Sequence, residues 1–334
     1  MKLSIPKLLS LSVIIFFSMI PMITNNDFIL HLLIMIFLMS IVCGSWDLSM
    51  GYLGLFNFGH LAFFAIGGYF SGILSLFYGF SPWLSILLGS VLSFILGLLL
   101  SFATLRVSHF TFSLISFAFQ NVFLYWVRSG GGPAPGELGK YGLSLTGGTQ
   151  GLGSLIPIPP LQLGSIIFDL KFKIPTYYFT LAIFILAIYG MFKIVNSRFG
   201  LAAIGLRDSQ IFSKSLGINP IVYTSIFVSI STFFAGLAGA LYAHIFGVIS
   251  PEVMGWSNII LTCCIVEFGG LGTLLGPVSA TFLLITMTLY LAGLAVYRDI
   301  ILAMLMFFTL LVWPSGLAGM ASWFKKYFER TKLK

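Results

Sequence analysis

Five polar side chains stand in stretches of the sequence that are otherwise apolar, and they are the residues best placed to do chemistry. Asn57 and His60 follow a run of glycines, Gln120 and Asn121 are adjacent in one apolar segment, and Glu267 lies in another. Polar groups are costly inside a bilayer, so they tend to face a cavity or another polar group. We interpret all five as candidates for a solute pathway. Hydrogen bonding between helices is the alternative for His60, Gln120 and Asn121.

Glu267 is the carboxylate that lies well inside an apolar segment. An ionised carboxylate there needs a partner or water, so we expect it to face a wet cavity or to pair with a neighbouring subunit. Together with His60 it could relay protons in a self-powered secondary transporter or channel. The apolar segments lack the repeated charges typical of such relays, which weakens this alternative.

The sequence gives little sign of an enzyme, which remains only a minor alternative. The histidines are far apart, without an H-x-x-x-H pair or paired carboxylates; they are His31, His60, His109 and His244. The cysteines, Cys43, Cys263 and Cys264, show no metal-ligand spacing. A nucleotide-binding G-x-x-x-x-G-K-[ST] loop is not found, since Gly139-Lys140 lacks the upstream glycine and a following Ser or Thr. We expect no metal or cofactor on this chain, and expect any ATP and Mg²⁺ to be bound by partner subunits.

Composition sets the fold that must position these residues. Of the 334 residues 58% are hydrophobic and 8% are charged, against a charged fraction of about 25% in soluble domains. A bilayer-spanning helix needs about 20 mostly apolar residues. We therefore predict an all-α polytopic membrane protein, with residues 1–334 forming one transmembrane domain.

Ten segments qualify as spans, some of them marginally. They are Leu8–Thr24, Phe28–Trp46, His60–Phe80, Pro82–Leu105, Ser108–Arg128, Thr176–Val195, Ile221–Gly247, Trp256–Leu271, Leu275–Tyr297 and Ile300–Pro314. Lys2 and Lys7 precede the first segment as in a secretory signal, but no small-x-small cleavage site follows it. We expect that helix to be retained.

The basic residues predict the orientation. With the N terminus inside, twelve of the 17 Lys and Arg residues fall on the cytoplasmic side and the other five outside, as the positive-inside rule favours. Both termini are then cytoplasmic, residues 129–175 form an external cap and residues 196–220 a cytoplasmic loop. The tail, residues 322–334, is basic and suits anionic lipid headgroups. Because the net charge of +8 is scattered over short loops and the tail, we expect no nucleic-acid partner.

Glycines punctuate the region from Gly51 to Gly72, which contains six of them. Each weakens a helix, and the Gly68/Gly72 spacing lets helix backbones approach closely. The run predicts a broken, re-entrant or tightly packed helix. Two further glycine-rich runs, Phe234–Gly247 and Glu267–Pro277, occur in the second half of the chain.

Six motifs occur in the order seen in the LivM-type permease subunits of branched-chain amino acid ABC importers, which the region Gly51–Val278 resembles. They are GYLGLFNFGHLAFFAIGGY, LTGGTQGL, the YY at Tyr177–Tyr178, SRFGLAAIGLRDSQIFSKSLGI, FFAGLAGALYAHIFGVISP and EFGGLGTLLGPV. The resemblance implies a multi-pass protein of the inner (cytoplasmic) membrane that pairs with a LivH-like sister permease. It also implies two cytoplasmic ATPase subunits, an external substrate-binding protein and uptake of branched-chain or related small amino acids by alternating access. Urea and short-amide permeases of the same superfamily are the alternative.

The loop at residues 196–220 is where the resemblance places coupling to the ATPases. The residues we assign to it are Arg198, Gly200, Arg207, Asp208 and Gly217. Interpreted as one short amphipathic helix that stops at Gly217, the loop has a shared face of Leu201, Ile204, Ile211 and Ser215, which could fit a groove on a partner. The chain departs from the family's usual pattern in having Gln210 and Lys214 in place of acidic residues, and Glu267 in place of an apolar one.

Overall fold

The computed structural model describes residues 16–24, 26–104, 109–136, 142, 144–163, 166–312, 316, 317 and 319. Residues 16–23 are helical, and the following helices are α1 (Asp27–Asp47), α2 (His60–Tyr78), α3 (Pro82–Thr104), α4 (His109–Arg128), α5 (Lys173–Val195), α6 (Arg198–Asp208), α7 (Gln210–Ser215), α8 (Pro220–Phe246), α9 (Trp256–Gly269), α10 (Leu275–Tyr290) and α11 (Ala295–Val312). One short hairpin pairs β1 (Leu161–Leu163) with β2 (Ile166–Phe168). The predicted polytopic helical class is confirmed, while the tail at residues 322–334 and much of the first predicted span lie outside the described residues.

Six helices within the described part are long and apolar enough to cross a membrane. They are Asp27–Tyr52, which joins α1 to a π-helical turn at Leu48–Tyr52, and His60–Tyr78, Pro82–Ala103, His109–Arg128, Lys173–Val195 and Pro220–Phe246. Helices α9 and α10 are apolar but shorter, with 14 and 16 residues. The total of ten spans stays a prediction.

The predicted break between the last two segments is misplaced. The helix expected to run to Tyr297 ends at Tyr290, and a 3-10 turn at Leu291–Leu294 leads into α11. Arg298 and Asp299, the two residues between the predicted segments, are both helical. Glycine has a low helix propensity, and Gly293 lies in the 3-10 turn between the two helices.

Helix α8 approaches α2 backbone to backbone at two glycines. A Cβ atom at Gly239 would collide with the Phe64 carbonyl, and one at Gly67 would collide with the backbone of Gly236. Both contacts require glycine, and they allow the close approach that small residues give membrane helices. Helix α2 is continuous, so the glycine-rich region is tightly packed after His60 and interrupted only before it, in residues 53–59.

Contacts between helix ends place the segments that connect the helices in two groups, one at each end of the helices. At one end Lys173 pairs with Asp27, at 3.2 Å, and Leu152 exchanges backbone hydrogen bonds with Ile249. At the other end, Arg207 reaches Gly51. The placement of residues 129–175 and 196–220 on opposite sides of the membrane stays a prediction. Which side is cytoplasmic stays a prediction from the charges.

Residues of the predicted external cap are anchored on the helix ends by His244. The Nδ1 atom of His244 donates to the Ile156 carbonyl and its Nε2 atom accepts from the Ser71 hydroxyl, both at 2.7 Å. Leu152 and Leu155 are buried beside it. This histidine, which the sequence left without a role, therefore joins α8, α2 and the cap.

The prediction of one amphipathic helix in residues 196–220 is wrong, because two short helices occupy it. Ser209 is extended and ends α6, and its hydroxyl accepts a hydrogen bond from Phe212 N to begin α7. Serine favours such an N-cap. The predicted shared face of Leu201, Ile204, Ile211 and Ser215 is therefore divided between two helices. The predicted stop at Gly217 is confirmed by its left-handed φ of 81°.

We expect Gly239→Ala to destabilise the protein, because the added methyl group would collide with backbone that cannot yield without moving a helix. Overpacking of this kind costs about 1–3 kcal/mol. Gly190→Ala on α5 is the matched control, since the added carbon there would make only an ordinary contact with Phe234. Thermal unfolding in detergent measures the difference. Equal midpoints for the two variants would contradict the packing.

Candidate solute cavity and coupling junction

A cavity of about 390 Å³ lies among α1, α2, α8, α9, α10 and α11. Apolar side chains dominate its lining, among them Met35, Met39, Leu61, Phe64, Leu261 and Ile285. Polar groups reach it mainly from α9, as Ser257, Asn258 and Thr262. The volume and the sparse polar groups are typical of a small-molecule site. None of the five predicted pathway residues belongs to this lining within the described part of the chain.

His60 is enclosed and bonded to a neighbouring helix. Its Nε2 atom lies 2.9 Å from the Ser45 hydroxyl, and its ring stacks on Trp46 with 5.4 Å between centroids. The Ser45 hydroxyl also lies 2.8 Å from the Val42 carbonyl. The geometry fits hydrogen bonding between α2 and α1 better than contact with a solute.

Gln120 and Asn121 are adjacent but make different contacts. Gln120 is buried, and its Nε2 atom donates to the Met254 carbonyl at 3.2 Å, tying α4 to the 3-10 turn Pro251–Met254 before α9. Asn121 donates to Phe117 within its own helix. Of these two residues, the interhelical alternative therefore suits Gln120 and not Asn121.

Asn57 and Glu267 complete the predicted set. Asn57 is buried, and its Oδ1 atom accepts from Gly59 N at 3.1 Å, which shapes the turn that leads into α2. Glu267 is half-buried near the end of α9, with the Cys263 thiol 3.8 Å from its Oε1 atom. Its expected pairing with another subunit, like a pathway role for any of the five, stays a prediction.

The charged residue that sequence reasoning missed is Asp47, at the end of α1. It is fully buried; its Oδ1 atom accepts from Gly272 N at 2.7 Å and its Oδ2 atom from Leu274 N at 2.9 Å. The predicted span Phe28–Trp46 stopped one residue before Asp47. One available signal was its position directly before the glycine-rich run.

Arg207 joins α6 to this region. Its Nη1 atom donates to the Gly51 carbonyl at 2.8 Å, and its Nε atom donates to Asp208 at 3.0 Å. Of the other predicted coupling residues, Arg198 begins α6, Gly200 packs against the end of α5 and Gly217 ends the turn after α7. Arg207 is the member of the five that contacts the π-helical end of the first described span.

An exposed apolar patch lies on α6, α7 and the turn that follows. Its side chains are 63–85% exposed, and they are Leu201, Ile211, Phe212 and Leu216. The patch belongs to a segment whose other face is anchored by buried Ala203 and Leu206. A patch of this kind outside the long apolar helices indicates a protein or membrane contact. We call these four residues the α6–α7 patch.

Residues 28–310 match the model of a family described as "Branched-chain amino acid transport system / permease component". Two curated relatives, from Salmonella typhimurium (strain LT2) and Escherichia coli (strain K12), are each named "High-affinity branched-chain amino acid transport system permease protein LivM". Each is 26% identical over 293 residues, which are 82% of this chain and 66% of the relative, so the chain spans slightly less than two thirds of their length. No solved structure matches the chain. The resemblance inferred from the six motifs is confirmed.

We expect Gln120→Leu to destabilise the packing of α4, because the variant removes the donor to the buried Met254 carbonyl. An unsatisfied buried group costs about 1–3 kcal/mol. Asn121→Leu is the control, since Asn121 bonds only within its own helix. The unfolding midpoints in detergent measure both. A Gln120→Leu midpoint at or above that of the control would show that the tie contributes nothing.

Proposed function

We propose that this chain, which belongs to the family of branched-chain amino acid transport permeases, is the membrane-spanning subunit of an ABC importer driven by separate ATPases. It would pair with a sister permease in the inner membrane and receive solute from an external binding protein. ATP and Mg²⁺ would be held by the two ATPase subunits. The family membership and the apolar helices support a multi-pass permease, and the remaining parts are our inference.

The α6–α7 patch is the observation that carries the proposal. A chain that gains energy from a separate protein needs a surface on which that protein can act, and this patch is exposed on a segment that buried Ala203, Leu206 and Ser213 hold in place. Arg207 then connects α6 to the π-helical turn of the first described span. Movement of a partner bound to the patch would therefore reach the membrane helices through α6.

The apolar cavity favours an aliphatic solute. Its lining of methionine, leucine, isoleucine and phenylalanine side chains suits a branched hydrocarbon group, and Ser257, Asn258 and Thr262 supply a few polar atoms. Urea or a short amide would leave most of that lining without a matching partner, so branched-chain or related small amino acids fit better. A secondary transporter using Glu267 and His60 is supported less, because neither residue lines the cavity and His60 is occupied by Ser45.

We expect Ile211→Asp to abolish binding of the ATPase subunits, because it places a charge in the centre of an apolar contact. Ile211 is 85% exposed, so the chain itself should keep its unfolding midpoint. Ile156→Asp, at an exposed apolar residue of the predicted external cap, is the control. Co-purification with the ATPases and ATP-dependent uptake are measured for both. Uptake that persists in Ile211→Asp, or in cells that lack the ATPases, would contradict the proposal.

We expect Thr262→Phe to reduce uptake strongly while leaving assembly with the ATPases intact, because the larger ring would fill part of the cavity. Cys263→Phe is the matched control on the same helix, one position away and outside the lining. Uptake of labelled leucine, normalised to the amount of assembled complex, compares the two. A normal rate in Thr262→Phe would place the solute elsewhere.

A further inference from the structure

We propose that Asp47 is a positioning residue that couples α6 to the turn between α9 and α10, so that movement of α6 is transmitted to the helices around the cavity. The inference rests on the proposed function. It assigns a role to a buried carboxylate that the solute pathway does not use. We call the contact of Asp47 with Gly272 and Leu274 the Asp47 clasp.

The Asp47 clasp is built from backbone donors. Each carboxylate oxygen accepts one N–H group from the α9–α10 turn, at 2.7 Å from Gly272 and 2.9 Å from Leu274. Successive backbone N–H groups in a turn form a concave anion site, and hydrogen bonds to a charged acceptor are the stronger kind. A carboxylate with no exposed surface requires such partners, since an unpaired charge cannot be buried cheaply.

The turn is held in a conformation that it would not adopt freely. Leu274 has a φ of 51°, which a branched side chain rarely adopts, and its side chain is buried. Strain of this kind persists only where surrounding contacts impose it, and it is concentrated at functional and switching sites. The hydrogen bond from Leu274 N to Asp47 is one of the contacts that impose it.

Gly51 links this clasp to Arg207. A Cβ atom at Gly51 would collide with both the Asp47 carboxylate and Gly272 N, so the π-helical turn lies directly against the α9–α10 turn. The Gly51 carbonyl accepts from Arg207, whose Nη1 atom also lies 3.4 Å from where a Cβ of Gly272 would be. Three elements therefore meet at one point: the end of α6, the π-helical turn and the α9–α10 turn.

The clasp is placed to move the cavity wall. Helix α9 supplies several lining residues, including Asn258, Leu261 and Ile265, and α10 supplies Ile285, Thr288 and Leu289. Both helices are short and meet at the turn that Asp47 holds. A displacement of α6 that pulls Gly51 would therefore shift both helices together as long as the clasp is closed.

Asp47→Asn tests the proposal with almost no change in size. An amide has one acceptor oxygen and one NH₂ donor, so the variant would set a donor against the N–H of either Gly272 or Leu274. We expect solute taken up per ATP hydrolysed to fall about tenfold, as for loss of a hydrogen bond to a charged group, while the assembled complex still hydrolyses ATP. The control is Asp27→Asn at the other end of α1, where the carboxylate is exposed and paired at the surface.

Gly51→Ala reaches the same clasp while keeping the carboxylate, because its methyl group would push Asp47 and Gly272 apart. The same loss of coupling is expected. A residue that only supports folding would instead lower the yield of complex and lower uptake and hydrolysis together, which would overturn the proposal. If Asp47→Asn fails to assemble, the ratio of uptake to hydrolysis in Gly51→Ala decides.

A distance measurement separates this inference from the proposed function. Spin labels are placed at half-buried Ala202 on α6, outside the α6–α7 patch, and at exposed Leu271 in the α9–α10 turn, in a background without the native cysteines. In the assembled complex we expect the label separation to stay constant between nucleotide-free and ATP-trapped states, and to change between them in Gly51→Ala. Wild-type uptake without ATP dependence would overturn the proposed function, and the clasp with it. Coupled wild-type uptake with equally coupled Asp47→Asn and Gly51→Ala variants would overturn the clasp alone.

Discussion

The backbone contact between α8 and α2 is the interaction on which the rest of the structure depends. In a bilayer there is no hydrophobic force to drive helices together, so their association depends on close packing and on hydrogen bonds. Gly67 and Gly239 allow that packing, and Ser231, Thr232 and His244 on α8 add hydrogen bonds to α1, α3 and α2. With α8 fixed in this way, α1 and α2 present one wall of the cavity and α9 and α10 can form the other.

The long helices were predictable because each needs about 20 apolar residues and leaves a continuous run in the sequence. The described bounds of α2 and α4 therefore begin within one residue of the predicted spans. The boundary between the last two segments was harder to predict. Arg298 and Asp299 are polar but lie inside α11, whereas the break falls at the 3-10 turn that contains Gly293. In residues 196–220 the periodicity of apolar side chains was real, but the N-cap at Ser209 divided it between two helices.

The candidate site was predicted less well, for a physical reason. Polar residues in an apolar segment draw attention, yet His60 and Gln120 are bonded to other helices. The cavity is lined instead by common apolar side chains, whose convergence depends on the tertiary fold and leaves no pattern in the sequence. The role of Asp47 could not be predicted for a similar reason. Its partners are backbone N–H groups that lie 225 and 227 positions further along the chain, and backbone donors carry no sequence signature.

Under the proposed function, the α6–α7 patch stays uncovered until the subunit binds its ATPase partners. Four large hydrocarbon groups would then stand in water, where chaperones and proteases sort proteins with such surfaces. An orphan copy would thus be marked for quality control, whereas an assembled one would be shielded.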